Sequence, residues 1–129
     1  MTGSADGVIL IAEDEPDNQV ILQTVVESLV GARSCVVGDG LAVLVSVGRE
    51  RPRMILLDLM MPVLDGFQVA QRLKADPATA SIPIVAVSAL ARPDDREAAL
   101  AAGCDAFVRK PFDLDELERV IRAYLDAPA

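Results

Sequence analysis

Three observations predict a doubly wound α/β domain, a five-stranded parallel sheet with helices on both faces. Short apolar runs alternate five times with stretches of helical spacing. The runs VILIA (8–12), RMILLD (53–58) and IPIVAVS (82–88) are apolar almost throughout, as strands are when helices cover both faces of a parallel sheet. At 129 residues the chain is one domain in length, enough to bury roughly two-thirds of the surface its unfolded form exposes.

Each element has its own signal. Residues 1–7, small and polar, read as a flexible N-terminal tail. VILIA stops abruptly at EDEPDN, and Pro16 suits the first turn of a helix. Val20, Ile21, Val25 and Leu29 then recur at helical spacing up to Gly31 and are the expected buried face. RSCVV (33–37), the most polar strand, is expected at an edge and is closed by the turn GDG. A second helix covers 41–48 despite its valines. RMILLD leads into the loop LMMPVLDG, where Asp65 and Gly66 read as turn or helix-start chemistry. Phe67, Val69, Ala70 and Leu73 mark a third helix that fades at DPATAS.

After IPIVAVS, a helix across ARPDDREAALAAG stops at Gly103. DAFVRK (105–110) is the fifth strand, broken by Pro111. Asp113 and Glu116 form a capping-box pattern for the last helix. Its apolar face is Leu114, Leu117, Val120, Ile121 and Tyr124. The domain is expected over 8–126, leaving 127–129 as a C-terminal tail.

Composition narrows the function. A net charge of −8 argues against nucleic acid or an anionic membrane as partner and suits other proteins or cations. The absence of histidine removes imidazole catalysis and the usual zinc sites. Cys35 and Cys104 have no CxxC spacing and are expected to be buried and inert. MTGSADG lacks the basic and apolar regions of a signal peptide, and no apolar run reaches the length of a membrane span. The chain reads as cytoplasmic.

Chemistry concentrates at the carboxyl ends of the strands. MILLDLMMP (54–62) sets Asp58 in an otherwise apolar run, where an isolated carboxylate is costly to bury. Strand 1 delivers Glu13 and Asp14, strand 4 Ser88 and strand 5 Lys110. In a parallel sheet these ends share one edge, where ligands bind. Three crowded carboxylates call for a cation, and hard oxygen donors suit Mg²⁺ (or Mn²⁺). The set fits phosphoryl transfer to Asp58, with Ser88 donating to a phosphoryl oxygen and Lys110 offsetting charge. Each residue alone has an ordinary use. Glu13 and Asp14 favour a helix N-terminus, Ser88 serves a turn and Lys110 ends a strand in solvent.

VILIAEDEPDN, MILLDLMMPVLDGF, IPIVAVSAL and AGCDAFVRKPF together closely resemble the response-regulator receiver domain of two-component signalling. The resemblance covers residues 8–126 and implies a flavodoxin-like (βα)5 fold with strand order 2-1-3-4-5. It also implies that Asp58 is the phosphoacceptor. Glu13, Asp14, Asp58 and the backbone carbonyl of Met60 would hold Mg²⁺, with Asp14 the more direct of the acidic pair. Ser88 and Lys110 would meet the phosphoryl group, and small Ala89 would let it approach. Ser88 and Phe107 would be the switch positions, with core packing the other reading of Phe107. The Lys110–Pro111 bond would be cis. The acidic pair departs from the family's usual Asp-Asp, and Phe107 lacks the hydroxyl of the tyrosine common there.

The implied function is a signalling switch phosphorylated by a histidine kinase or histidine phosphotransfer protein. It would be no enzyme beyond self-phosphorylation and slow autodephosphorylation. It would reach a downstream protein through helix 4, strand 5 and helix 5, including Arg92, Asp94, Asp95, Arg96 and Phe107. A chain that stops soon after its last helix reads as a stand-alone receiver or one excised from a longer protein. A degenerate receiver acting as an interaction module is the alternative, which the intact Glu13, Asp14, Asp58, Ser88 and Lys110 argue against. A Mg²⁺-dependent aspartyl-phosphate phosphohydrolase of the haloacid-dehalogenase type would carry a second acid at position 60, where Met60 stands.

Overall fold

Strands β1 (Val8–Ala12), β2 (Arg33–Val37), β3 (Met54–Asp58), β4 (Ile84–Ser88) and β5 (Ala106–Arg109) pair in parallel in the order β2-β1-β3-β4-β5. The computed structural model describes residues 7–90 and 92–125. Residues 1–6 of the expected N-terminal tail and the whole expected C-terminal tail, 127–129, lie outside the described residues, as does Ala91. Between the strands run α1 (Pro16–Thr24), α2 (Gly40–Arg49), α3 (Gly66–Ala75), α4 (Pro93–Ala102) and α5 (Leu114–Leu125). A six-residue π-helical turn, Val25–Val30, extends α1.

The side-chain period of two splits every central strand between two core layers. Ile9, Ile11, Met54, Leu56, Val85, Val87 and Val108 face α1 and α5, where Leu22, Val25, Val26, Leu117 and Ile121 meet them. Leu10, Ala12, Ile55, Leu57, Ile84, Ala86 and Phe107 face the other way, against Val43 and Val47 of α2, Val69, Ala70 and Leu73 of α3, and Ala99 of α4. Both faces being covered, β1, β3 and β4 are buried along their whole length. β2 lies at the expected edge and is only partly covered.

Local chemistry starts and stops the helices as the sequence anticipates. Asp65 Oδ1 accepts from the Gln68 amide at 2.9 Å, while Gln68 Oε1 accepts from the Asp65 amide at 3.1 Å, so α3 begins with a reciprocal capping box. Asp113 Oδ1 accepts from the amides of Asp115 and Glu116, satisfying donors that would otherwise be orphaned at the start of α5. Gly103 ends α4 at φ 117°, a left-handed conformation that a side chain would disfavour.

Three expectations need correction. Val20, Ile21 and Leu29 are exposed, and the buried stripe of the first helix is Leu22, Val25 and Val26. Apolar residues occupy two adjacent stripes of this helix, and packing on the sheet and α5 selects the second. Leu114 likewise stands outside the α5 core face that Leu117 and Ile121 form. Cys35 is exposed rather than buried, because the edge strand β2 is covered incompletely, whereas Cys104 is buried.

Two measurements check this packing. Leu22→Ala is expected to lower stability by about 2–5 kcal/mol in urea unfolding, and Val20→Ala to change it by no more than about 0.5 kcal/mol; reversed magnitudes would restore the other stripe. Burial and the neighbouring Asp105 push the Cys104 thiol up to about 12. At about pH 8, iodoacetamide should therefore add one carbamidomethyl group to the native protein and two to the unfolded chain, read by intact mass.

Candidate functional site

Strand register brings the chemistry-bearing residues to one edge. Ala12 lies opposite Leu57, which sets Glu13 level with Asp58, and Ser88 lies opposite Arg109, one residue before Lys110. Backbone bonds secure these positions. The Glu13 amide donates to the Val37 carbonyl at 3.0 Å, and Gln19 Nε2 donates to the Glu13 carbonyl at 2.7 Å. The Lys110 amide donates to the Ser88 carbonyl at 2.8 Å, and the Lys110–Pro111 bond is cis, as the resemblance implies.

Asp58 ends β3 with only 3% of its surface exposed. Its Oδ1 accepts from the Met60 amide at 3.0 Å and its Oδ2 from Lys110 Nζ at 3.1 Å. Glu13 is fully buried, its Oε2 accepting from the Glu15 amide at 3.0 Å. Its Oε1 forms an ion pair with Lys110 Nζ at 2.8 Å without a directed hydrogen bond. Asp14 is the exposed member of the acidic group, and one oxygen from each of Glu13, Asp14 and Asp58 lies within 4.8 Å of the others.

The electrostatics follow from this crowding. Burial raises the Glu13 pKa above the usual carboxylate range, and the charge of Asp58 adds to it, only partly offset by Lys110 and the Glu15 amide. Burial works against the Lys110 ammonium too, but its bonds to Glu13 and Asp58 outweigh that and hold its pKa above the ordinary value. Three oxygen donors close together, one of them buried and short of a donor, fit a hard divalent cation. The acidic group therefore could hold a metal ion.

The loop after Asp58 is shaped by features the motif alone did not explain. A Cβ on Gly66 would lie 2.6 Å from the Asp58 carbonyl oxygen, and one on Gly40 would lie 2.0 Å from the Leu64 carbonyl oxygen. Neither position admits a side chain without moving backbone beside the site. Val63 sits at φ 71° in a tight turn closed by the Leu64 amide on the Pro62 carbonyl at 2.8 Å, a strained conformation for a β-branched residue. The dipeptide DG and the tripeptide GDG signalled turns but not these close approaches. Nor did the sequence reveal that Lys110 pairs with Glu13 as well as Asp58.

The remaining expected residues are placed as follows. Ser88 is fully buried, its Oγ accepting from the Leu90 amide at 3.1 Å. Ala89 is exposed directly after it, and Met60 is 59% exposed at the lip. Phe107 is buried in the layer under α4, which is the core placement.

Comparison with known proteins agrees with this geometry. The model of the response regulator receiver domain family matches residues 9–122. An uncharacterized 14.6 kDa protein of Leptolyngbya boryana is 34% identical, with 90% of this chain covering 88% of it. Response regulator Rre1 of Synechocystis is 32% identical over 91% of this chain and 51% of its own length. The chain thus spans about half the length of the named regulators it matches. Among solved structures, the receiver domain of sensor histidine kinase PA1611 from Pseudomonas aeruginosa PAO1 is 36% identical, with a TM-score of 0.86, covering 95% of this chain and 100% of that one. That domain has a magnesium ion coordinated in its active-site cleft. Sheet order, acidic edge and sequence together place this chain in the response regulator receiver domain family.

Proposed function

We propose that residues 8–126 are a phosphorylatable switch of two-component signalling whose acceptor is Asp58. The observation that carries this reading is the buried Asp58 carboxylate held between the Met60 amide and the Lys110 ammonium, with two further acids beside it. An Asp58 oxygen forms a bond to phosphorus as the bond from phosphorus to the donor atom breaks. The donor leaves with that electron pair, as acetate from acetyl phosphate or as imidazole from phosphohistidine. Lys110 is positioned to offset charge on the phosphoryl oxygens, Ser88 to donate to one of them, and Ala89 to leave room for their approach.

Asp14, Asp58, Glu13 and the Met60 carbonyl would hold Mg²⁺ or Mn²⁺, which when bound neutralises charge on the acceptor and the incoming phosphoryl group. The phosphodonor is a histidine kinase or histidine phosphotransfer protein, and the downstream target is another protein. Ser88 and Phe107 are the residues whose rearrangement would report phosphorylation, Phe107 by packing alone. Enzymatic turnover is not part of this reading, because Met60 stands where a phosphohydrolase needs an acid. The acidic surface and the absence, among the described residues, of a helix able to cross a membrane agree with a cytoplasmic protein that meets other proteins.

Incubation with acetyl phosphate and Mg²⁺ should add one phosphoryl group to the intact mass, and Asp58→Asn should abolish it. Phosphate release without an adduct would indicate a hydrolase, and no reaction at all a phosphorylation-independent module. Exposed Met60 and half-buried Leu90 flank the crevice and are expected to impede the water that hydrolyses the acyl phosphate. Met60→Asn should shorten the phosphorylated lifetime several-fold, followed by decay of the phosphorylated mass; an unchanged decay would refute the shielding role.

A further inference from the structure

Helix α2 is apolar on more sides than its place in the fold uses. Residues 40–48 contain no charged side chain, and the core takes only Val43, Val47 and part of Leu44. Leu41 and Val45 are each 53% exposed, and Val63, in the loop whose next residue meets Gly40, is 76% exposed. Leu41, Leu44, Val45 and Gly48 fall at i, i+3, i+4 and i+7, so they form a second stripe on the outer side of the helix. A helix that is apolar all round is a buried one, and exposed apolar surface gathered on one face marks an interaction site.

Gly48 is an independent sign that something covers this stripe. It lies in the last turn of α2, outside the left-handed region, and a Cβ there would meet no heavy atom within 4 Å. Nothing in its own protomer calls for glycine, which weakens a helix relative to alanine. Beside it opens a cavity of about 490 Å³, walled in part by Leu44, Val47 and Leu73.

The stripe is complementary to itself when reversed. With a twofold axis between Leu44 and Val45, an antiparallel second copy sets Leu41 over Gly48 and its cavity, and Leu44 over Val45. A large side chain then meets a missing one at both ends, which lets the two helices approach closely. Charge agrees with that direction. Asp39 caps the start of α2, and Asp65 follows Leu64, which abuts that start. Arg49, Arg51 and Arg72 stand at the other end. Arg49 is exposed and has no ion-pair partner among the described residues. The acids near it are engaged, Glu50 with Arg33 at 3.5 Å and Asp76 with the Ala78 amide at 2.9 Å. Reversal therefore brings opposite charges together at each end, as a self-paired interface requires.

We propose that α2 pairs antiparallel with α2 of a second copy of this chain, a twofold dimer in which Leu41 seats against the partner's Gly48. Arg49 reaches the acidic start of the opposite helix. The inference rests on the outer face of α2 and not on the chemistry proposed for Asp58.

The test is sedimentation of the full chain from about 10 μM to 1 mM, the range in which an interface of small area associates. The mass is expected to rise from one chain to two. Val45→Glu and Val45→Lys, at an exposed position beside the axis, should each leave a monomer with unchanged circular dichroism, and mixing the two variants should restore a dimer. Gly48→Ala should raise the urea midpoint, since alanine favours the helix, yet weaken the dimer about tenfold or more. A chain that stays monomeric up to 1 mM would leave the face to another protein and overturn the proposal. A dimer indifferent to Gly48→Ala, or no dimer on mixing the two Val45 variants, would overturn it as well.

Discussion

Burying two carboxylates at the end of a sheet that is covered on both faces requires a counter-charge, and Lys110 supplies it. Its ammonium sits 2.8 Å from Glu13 and 3.1 Å from Asp58, with most of its side chain out of solvent. Burying two carboxylates so close together is costly without a cation and backbone donors to meet them. Much of the local architecture follows from that pairing. β5 must run past the level of Asp58, which the register sets at Val108, so that Lys110 reaches both acids, and the backbone after Asp58 must bend so that the Met60 amide reaches Oδ1.

The same constraint explains why glycine appears where it does. The loop from Leu59 to Asp65 buries Leu59 and Met61 beneath it, and its backbone passes close to the starts of two helices. Gly66 lets α3 start against the Asp58 carbonyl, and Gly40 lets α2 start against the Leu64 carbonyl. The left-handed Val63 marks where the bend is tightest. Backbone strain of this kind gathers at functional sites, and here it falls in the segment that follows the buried Asp58 carboxylate.

A domain of this kind divides its surface by role. The carboxyl edge carries the clustered charges, and the two helical layers carry the core. The first helix does both duties, since Leu22, Val25 and Val26 pack inward while Val20, Ile21 and Leu29 line an apolar groove. Its π-helical continuation fits this division: Val25 and Val26 begin it inside the core, and Leu29 emerges near its end.

Element order, the edge position of β2, the capping by Asp65 and Asp113 and the stop at Gly103 were legible in the sequence, because each depends on neighbours along the chain. So was the gathering of Glu13, Asp14, Asp58, Ser88 and Lys110 on one edge, since a parallel sheet puts all its carboxyl ends together. The choice between two apolar stripes on the first helix was not legible, for helical spacing admits both and only contact with the sheet and α5 decides. The exposure of Cys35 and Leu114 was hidden for the same reason. The pairing of Lys110 with Glu13 across three strands, and the close approaches of Gly40 and Gly66, depend on distances between residues far apart in the chain. Local pattern determines which residues can be buried or brought to an edge; only the packed fold determines what each of them touches there.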